Sequence, residues 1–225
     1  MKASTFLSLL AFLALLLFLP LFFAQVMAAS LLKLHLAPGA ALLIVVAIFG
    51  GSALNIPIKR IRRDEMIGAH PLAIFGLHDF WPEMWRLRRE TIVAVNLGGC
   101  VIPVCLAVYE LLRVAEPGGG SLLAALVASA VNVVVCYRAA RPVPGIGILL
   151  PGLVPACVAA LMGFGIGGDQ AAPVAFIAGV AGPLVGADLL HLREIERTAV
   201  GVASIGGAGT FDGIVLSGIL AAYLA

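Results

Sequence analysis

Seven times along this chain, apolar residues run for close to the length that crosses a lipid bilayer. The runs cover roughly 5–28, 37–57, 91–112, 121–137, 146–166, 171–190 and 200–224. A membrane helix needs about 20 mostly apolar residues, because a bilayer core is thick and hides no unpaired backbone. Composition agrees. The sequence is 62% hydrophobic and 12% charged, against about 25% charged for a soluble domain, and its mean hydropathy is +1.12. The expected fold is an all-α polytopic membrane bundle of about seven helices. Residues 1–225 form one transmembrane domain in contact with the lipid bilayer.

The first run carries Lys2 before it and small residues at Ala28-Ala29-Ser30, as a signal peptide would. Its apolar stretch is longer than a signal core of about 7–15 residues, so a retained helix is expected. Cys100, Cys105, Cys136 and Cys157 are scattered through apolar segments without a CxxC pair. They read as small buried hydrophobes, with no disulfide framework or zinc site.

Basic residues orient the bundle. With the N-terminus inside, the inner segments hold Lys2, Lys59, Arg60, Arg62, Arg63, Arg86, Arg88, Arg89, Arg138, Arg141, Arg193 and Arg197, and the outer ones only Lys33 and Arg113. Positive charge stays cytoplasmic, so the expected topology is N-in, C-out, in a prokaryotic cytoplasmic (inner) membrane. The same rule accounts for the basic clusters without a nucleic-acid partner. The long inner segment 58–90 mixes Phe75, Phe80, Trp81 and Trp85 with charges. It is expected to be cytoplasmic or interfacial, with an amphipathic surface helix broken near Pro82. His78-Asp79 within it reads as a solvated turn rather than a catalytic pair.

Two carboxylates stand out. A charged Asp at the centre of a membrane helix costs about 2.5–3.5 kcal/mol on insertion scales, and such residues usually face protein or a wet cavity. Asp188 lies near the inner end of the sixth run, and Asp212 follows the glycine-rich start of the seventh. The loop between them, 191–198, is short, so the two spans are antiparallel neighbours. Were the seventh helical from Val200, Asp212 would lie about 18 Å deep at 1.5 Å per residue and would miss Asp188. Three glycines in Ala203-Ser-Ile-Gly-Gly-Ala-Gly209 argue for an irregular entry instead, with the helix starting near Thr210 as its N-cap and Asp212 in its first turn. Both carboxylates then reach one cytoplasmic cleft.

Two adjoining carboxylates share a proton, so that one activates water while the other donates to a carbonyl. Gly186, Gly206, Gly207, Gly209 and Gly213 would let an extended substrate backbone approach. The leading expectation is therefore peptide-bond hydrolysis of membrane-spanning peptides by Asp188 and Asp212, with water as nucleophile and no cofactor. Three other readings stay open. The aspartates bind protons or cations in a transporter or channel. They are structural, Asp212 capping its helix and Asp188 pairing with Arg193 or Arg197 in a non-catalytic scaffold. Or Asp188, His191 and Asp212 hold a metal ion. Asn96 and Asn132 are expected to form interhelical hydrogen bonds, and Asn55 either does so or marks the end of the second span.

Asn55-Ile-Pro57, Gly186-Ala-Asp188-Leu-Leu and Gly206-Gly-Ala-Gly-Thr-Phe-Asp212-Gly213 resemble an uncharacterised bacterial and archaeal membrane domain of unknown function. That resemblance spans most of the chain after the first run and implies no established activity. The chain also resembles, more loosely, the presenilin-type intramembrane aspartyl proteases. These carry one aspartate in a sixth span and another in a Gly-x-Gly-Asp motif opening the seventh, both towards the cytosol. The resemblance implies a catalytic Asp188–Asp212 dyad. Here Asp188 follows Gly-Ala rather than tyrosine, and Thr210-Phe211 is inserted before Asp212. No Pro-Ala-Leu motif follows; Pro151-Gly-Leu153 lies upstream.

Overall fold

The computed structural model describes residues 3–62, 90–116, 120–143, 147–195 and 202–225. The interfacial helix expected within 58–90, with His78-Asp79 and Trp81, falls on 63–89, outside the described residues. Each apolar run contains a helix. They are α1 (Ala3–Lys33), α2 (Pro38–Gly51), α3 (Ile102–Ala115), α4 (Gly120–Ala139), α5 (Val154–Ile166), α6 (Ala171–Ala181) and α7 (Gly213–Leu224). Four helical stretches are long and apolar enough to cross a membrane: Phe12–Lys33, Leu97–Ala115, Gly120–Ala139 and Gly168–Glu194. Three apolar helices are shorter: Pro38–Gly51, Val154–Ile166 and Gly213–Leu224. This is a mostly helical protein of the membrane type, with outward-facing leucines and phenylalanines along α1 suited to lipid.

The all-α expectation needs a correction. Asn55–Arg62 is a strand, β1, and Glu90–Asn96 a second, β2; Val202–Ile205 forms β5. They make one sheet in the order β1-β2-β5, β1 antiparallel and β5 parallel to β2. Arg141–Val143 (β3) and Gly147–Leu149 (β4) form a small antiparallel pair. Hydropathy missed these strands because Glu90–Asn96 is itself apolar enough to merge with the span that follows. A strand with charged residues such as Lys59, Arg60 and Arg62 does not look like a membrane element at all.

Two helices widen into π-helical turns, at Leu97–Val101 and Gly182–Leu189. Pro183 offers no N–H to the carbonyl four residues back, and Gly182–Leu189 accommodates it by shifting to the wider turn. Such segments concentrate at functional sites.

The helix α6 is the hub. Every residue from Ala172 to Val180 is buried, the pattern of a helix surrounded by protein. Its neighbours approach through small residues, as membrane helices do. A Cβ on Gly163 would come 2.6 Å from that of Ala175, and one on Gly179 would come 2.8 Å from the Cα of Gly218. The outer helix α1 buries Phe23, Val26, Met27, Ser30 and Leu31, a single face at helical spacing. The Ser30 hydroxyl fastens that face to α7, 3.0 Å from the Ile219 carbonyl. Asn132 of α4 makes the interhelical bond expected of it, donating to the Ala178 carbonyl at 2.8 Å.

Candidate functional site

The entry to α7 is where the chain does most to place one side chain. Val202–Ile205 runs as strand, Gly206 turns with φ +71, Gly209 with φ +62, and Gly209–Phe211 makes one tight 3-10 turn. The helix begins at Gly213. The late start expected from the glycines is present, but the entry is ordered rather than irregular. The cap is also different. Asp212, not Thr210, is the N-cap: its Oδ1 accepts the Ile214 N–H at 3.0 Å. Its Oδ2 accepts the Ala208 N–H at 3.2 Å. Thr210 turns its hydroxyl to Ser52 instead, 2.7 Å away.

Asp188 stands in the last turn of the π-helical stretch Gly182–Leu189. That stretch packs against α7, the helix that Asp212 caps. Both aspartates are half-buried. Two backbone N–H bonds leave a carboxylate further lone pairs, so capping by Asp212 does not exclude a second partner.

The glycines sort into two kinds. A Cβ on Gly206 would come 2.6 Å from the Gly99 carbonyl carbon and 2.8 Å from the Cys100 Cβ. One on Gly209 would come 2.6 Å from the Ser52 Cβ, and one on Gly207 2.8 Å from the Ser204 carbonyl oxygen. Gly186 lies against Val133, Cys136 and Tyr137 of α4. At these four positions the protein's own chain occupies the space. At Gly213 a Cβ would meet only the Leu150 Cδ2, at an ordinary contact distance of 3.8 Å, and that position alone of the five would take a methyl group unhindered.

His191 does not turn to the aspartates. Its Nδ1 lies 3.1 Å from the Gly186 carbonyl and 3.0 Å from that of Ala187, and its ring packs on Tyr137 at 4.8 Å. Among the described residues, no three of His, Cys, Asp and Glu are grouped to hold a metal ion. Arg193 is exposed, and Arg197 is outside the described residues.

Behind the Asp212 loop is a polar cluster that the sequence only half revealed. Asn96 is fully buried. Its Oδ1 accepts the Gly99 N–H at 2.7 Å, capping the first π-helical turn. Its Nδ2 donates to the Ser52 carbonyl at 2.8 Å and to Asn55 Oδ1 at 3.1 Å. Asn55 Oδ1 also accepts from the Ser204 hydroxyl at 2.6 Å. Asn96 is therefore not an interhelical clamp but the centre of a junction between α2, the sheet and the loop.

A profile of the family described as a protein of unknown function, DUF1614, matches residues 48–224. The chain belongs to the DUF1614 family. That match takes in Ser52, Asn55, Asn96, Asp188 and Asp212, so the site lies wholly within the family's domain. No curated protein and no solved structure matches this DUF1614 chain.

Sequence reasoning passed over Glu110. It is fully buried on α3 and pairs with Arg113 one turn on, at 2.9 Å. Arg113 in turn reaches the His35 Nδ1 at 3.3 Å. The signal was available: a glutamate inside an apolar span, three residues from an arginine, which is the spacing of a helical pair.

Proposed function

We propose that this protein is an intramembrane aspartyl protease, cleaving membrane-spanning peptides with Asp188 and Asp212. The observation that carries the reading is the pairing itself. Two half-buried carboxylates stand on segments that pack together, Asp188 on Gly182–Leu189 and Asp212 at the cap of α7. Membrane proteins keep few such groups without a use for them.

The chemistry follows from the pair. Two close carboxylates hold one proton between them. The ionised one takes a proton from water, and the resulting hydroxide equivalent bonds to the peptide carbonyl carbon. The protonated one gives its proton to the carbonyl oxygen. The tetrahedral species then breaks its C–N bond as the amine takes a proton from the first carboxyl and one of the two hydroxyls returns its proton to the second. One water is consumed, and an acid and an amine leave. Among the described residues β5 is an edge of its sheet, and an extended peptide can add to such an edge.

The proposal includes seven spans, N-in and C-out, in a prokaryotic cytoplasmic membrane, with the three shorter helices as thin spans. The charge asymmetry supports that orientation. Lys33 and Tyr223, Arg113 and His35 meet pairwise, which suits one common, outer end for α1, α3 and α7.

Glu110 favours a second reading. A buried carboxylate within α3 is the kind of group that ion-coupled transporters use, and the helices are broken by π turns. Purified protein presented with a membrane-spanning peptide separates the two. The proteolytic reading expects new termini, lost with Asp212→Asn, a variant that keeps the cap.

A further inference from the structure

Asn96 touches neither aspartate in any hydrogen bond, yet three anchors of the Asp212 loop trace back to it. The loop runs from Ser204 to Asp212, and besides the pairing of β5 with β2 and the packing of Phe211 on Phe23, three contacts hold it. At its start, the Ser204 hydroxyl donates to Asn55 Oδ1, which Asn96 Nδ2 also engages. In its middle, Gly206 lies on the backbone of Gly99 and the Cβ of Cys100, in the turn whose Gly99 N–H Asn96 Oδ1 accepts. Near its end, Thr210 Oγ1 meets Ser52 Oγ, on the residue whose carbonyl accepts from Asn96 Nδ2. Within the loop, the Gly207 N–H donates to the Ser204 carbonyl and the Gly209 N–H to that of Gly206. The Ala208 N–H donates to Asp212 itself. The loop is thus bonded within itself as well as to its surroundings.

We propose that Asn96 is a positioning residue that aims Asp212 at Asp188, acting through Ser52, Asn55 and the turn at Gly99. This rests on the reading of the two aspartates as one site. The chemistry demands an amide. One oxygen accepts from Gly99 while one nitrogen donates twice, so a carboxylate at 96 would set an acceptor against the Ser52 carbonyl and Asn55 Oδ1. Asn55 is the opposite case. Its oxygen accepts from both neighbours, and aspartate in its place keeps that acceptor.

The test measures aim separately from cleavage. In the full-length protein with its four native cysteines replaced by alanine, Asp188→Cys and Asp212→Cys are joined by a short bifunctional methanethiosulfonate. The rate of joining is then compared among folded variants. Asn96→Ala and Asn96→Asp are expected to slow it several-fold, and Asn55→Leu to slow it less. Asn55→Asp should join at the parent rate. Should Asn96 variants fail to fold, Asn55→Leu against Asn55→Asp carries the comparison at an exposed position. Joining at the parent rate in folded Asn96→Ala, or in Asn55→Leu if that is the variant available, overturns the proposal. The readout holds whether or not the protein cleaves peptides. If it does, Asn96→Ala with both aspartates intact is expected to lose on the order of a hundredfold in kcat with KM little changed, the effect of a misplaced reacting group. Equal losses in kcat for Asn55→Asp and Asn55→Leu would overturn it as well.

Discussion

Ser52 Oγ and Thr210 Oγ1 lie 2.7 Å apart across a separation of 158 residues. The contact joins the end of α2 to the loop that presents Asp212, and Ser52 Oγ also bonds the Ile48 carbonyl at 2.6 Å. Thr210 is buried. Removing its hydroxyl while keeping its shape, Thr210→Val, is expected to cost about 1 kcal/mol. Thr210→Ser should cost less. Thermal unfolding in detergent compares them, and equal midpoints for the valine variant and the parent would show that the contact adds nothing.

Gly206 and Gly213 make a contrasting pair. Alanine at 206 meets the Gly99 backbone and is held at φ +71, a strained setting on both counts. A loss of about 2 kcal/mol or more is expected. Alanine at 213 meets nothing closer than 3.8 Å, so Gly213→Ala should fold normally. On the proteolytic reading it should raise KM, because the added methyl stands next to Asp212, where a substrate backbone would bind. Unfolding curves and peptide kinetics on the two variants check this.

The buried Glu110–Arg113 pair predicts an asymmetric double-mutant cycle. Arg113→Ala leaves a fully buried carboxylate without its partner and should cost about 3–5 kcal/mol. Glu110→Gln leaves only a partly exposed arginine, which can reach water, and should cost less. The double variant Glu110→Gln, Arg113→Ala should recover most of the loss of Arg113→Ala. Unfolding midpoints that simply add would show that the two groups do not interact.

Topology is open to direct measurement. Reporter fusions after Ser30, Gly119 and Gly168 are expected to report the outside, and one after Arg63 the inside. An outside signal at Arg63 would reverse the orientation and move the Asp188–Asp212 site to the other face.

The helices were legible because burial in lipid demands long apolar runs, and all seven runs contain one. What hydropathy could not see were boundaries set by backbone geometry. The run at 91–112 is strand up to Asn96 and helix beyond it, since the same apolar residues suit either state. Thr210 looked like a cap because threonine is a good one, but Asp212, two residues on, does that work while Thr210 turns to Ser52. The site's two carboxylates were readable as charges out of place. Their support was not, because Ser52, Asn96 and Ser204 are ordinary polar residues that gain meaning only when three distant segments meet. The glycines were read as room for a substrate, and four of the five turn out to admit the protein's own chain.

The account's central claim is that Asp188 and Asp212 work as one unit in hydrolysis. The most direct measurement is cleavage of a membrane-spanning peptide by purified protein in detergent or lipid, comparing the parent with Asp188→Asn, Asp212→Asn and the double variant. Asparagine keeps an oxygen for the Ile214 N–H, so the folds should survive, which unfolding curves verify. Groups that act together are lost together. The account predicts cleavage by the parent, and loss to the same residual rate in all three variants. No cleavage by folded parent protein, or cleavage that survives both substitutions, would contradict it.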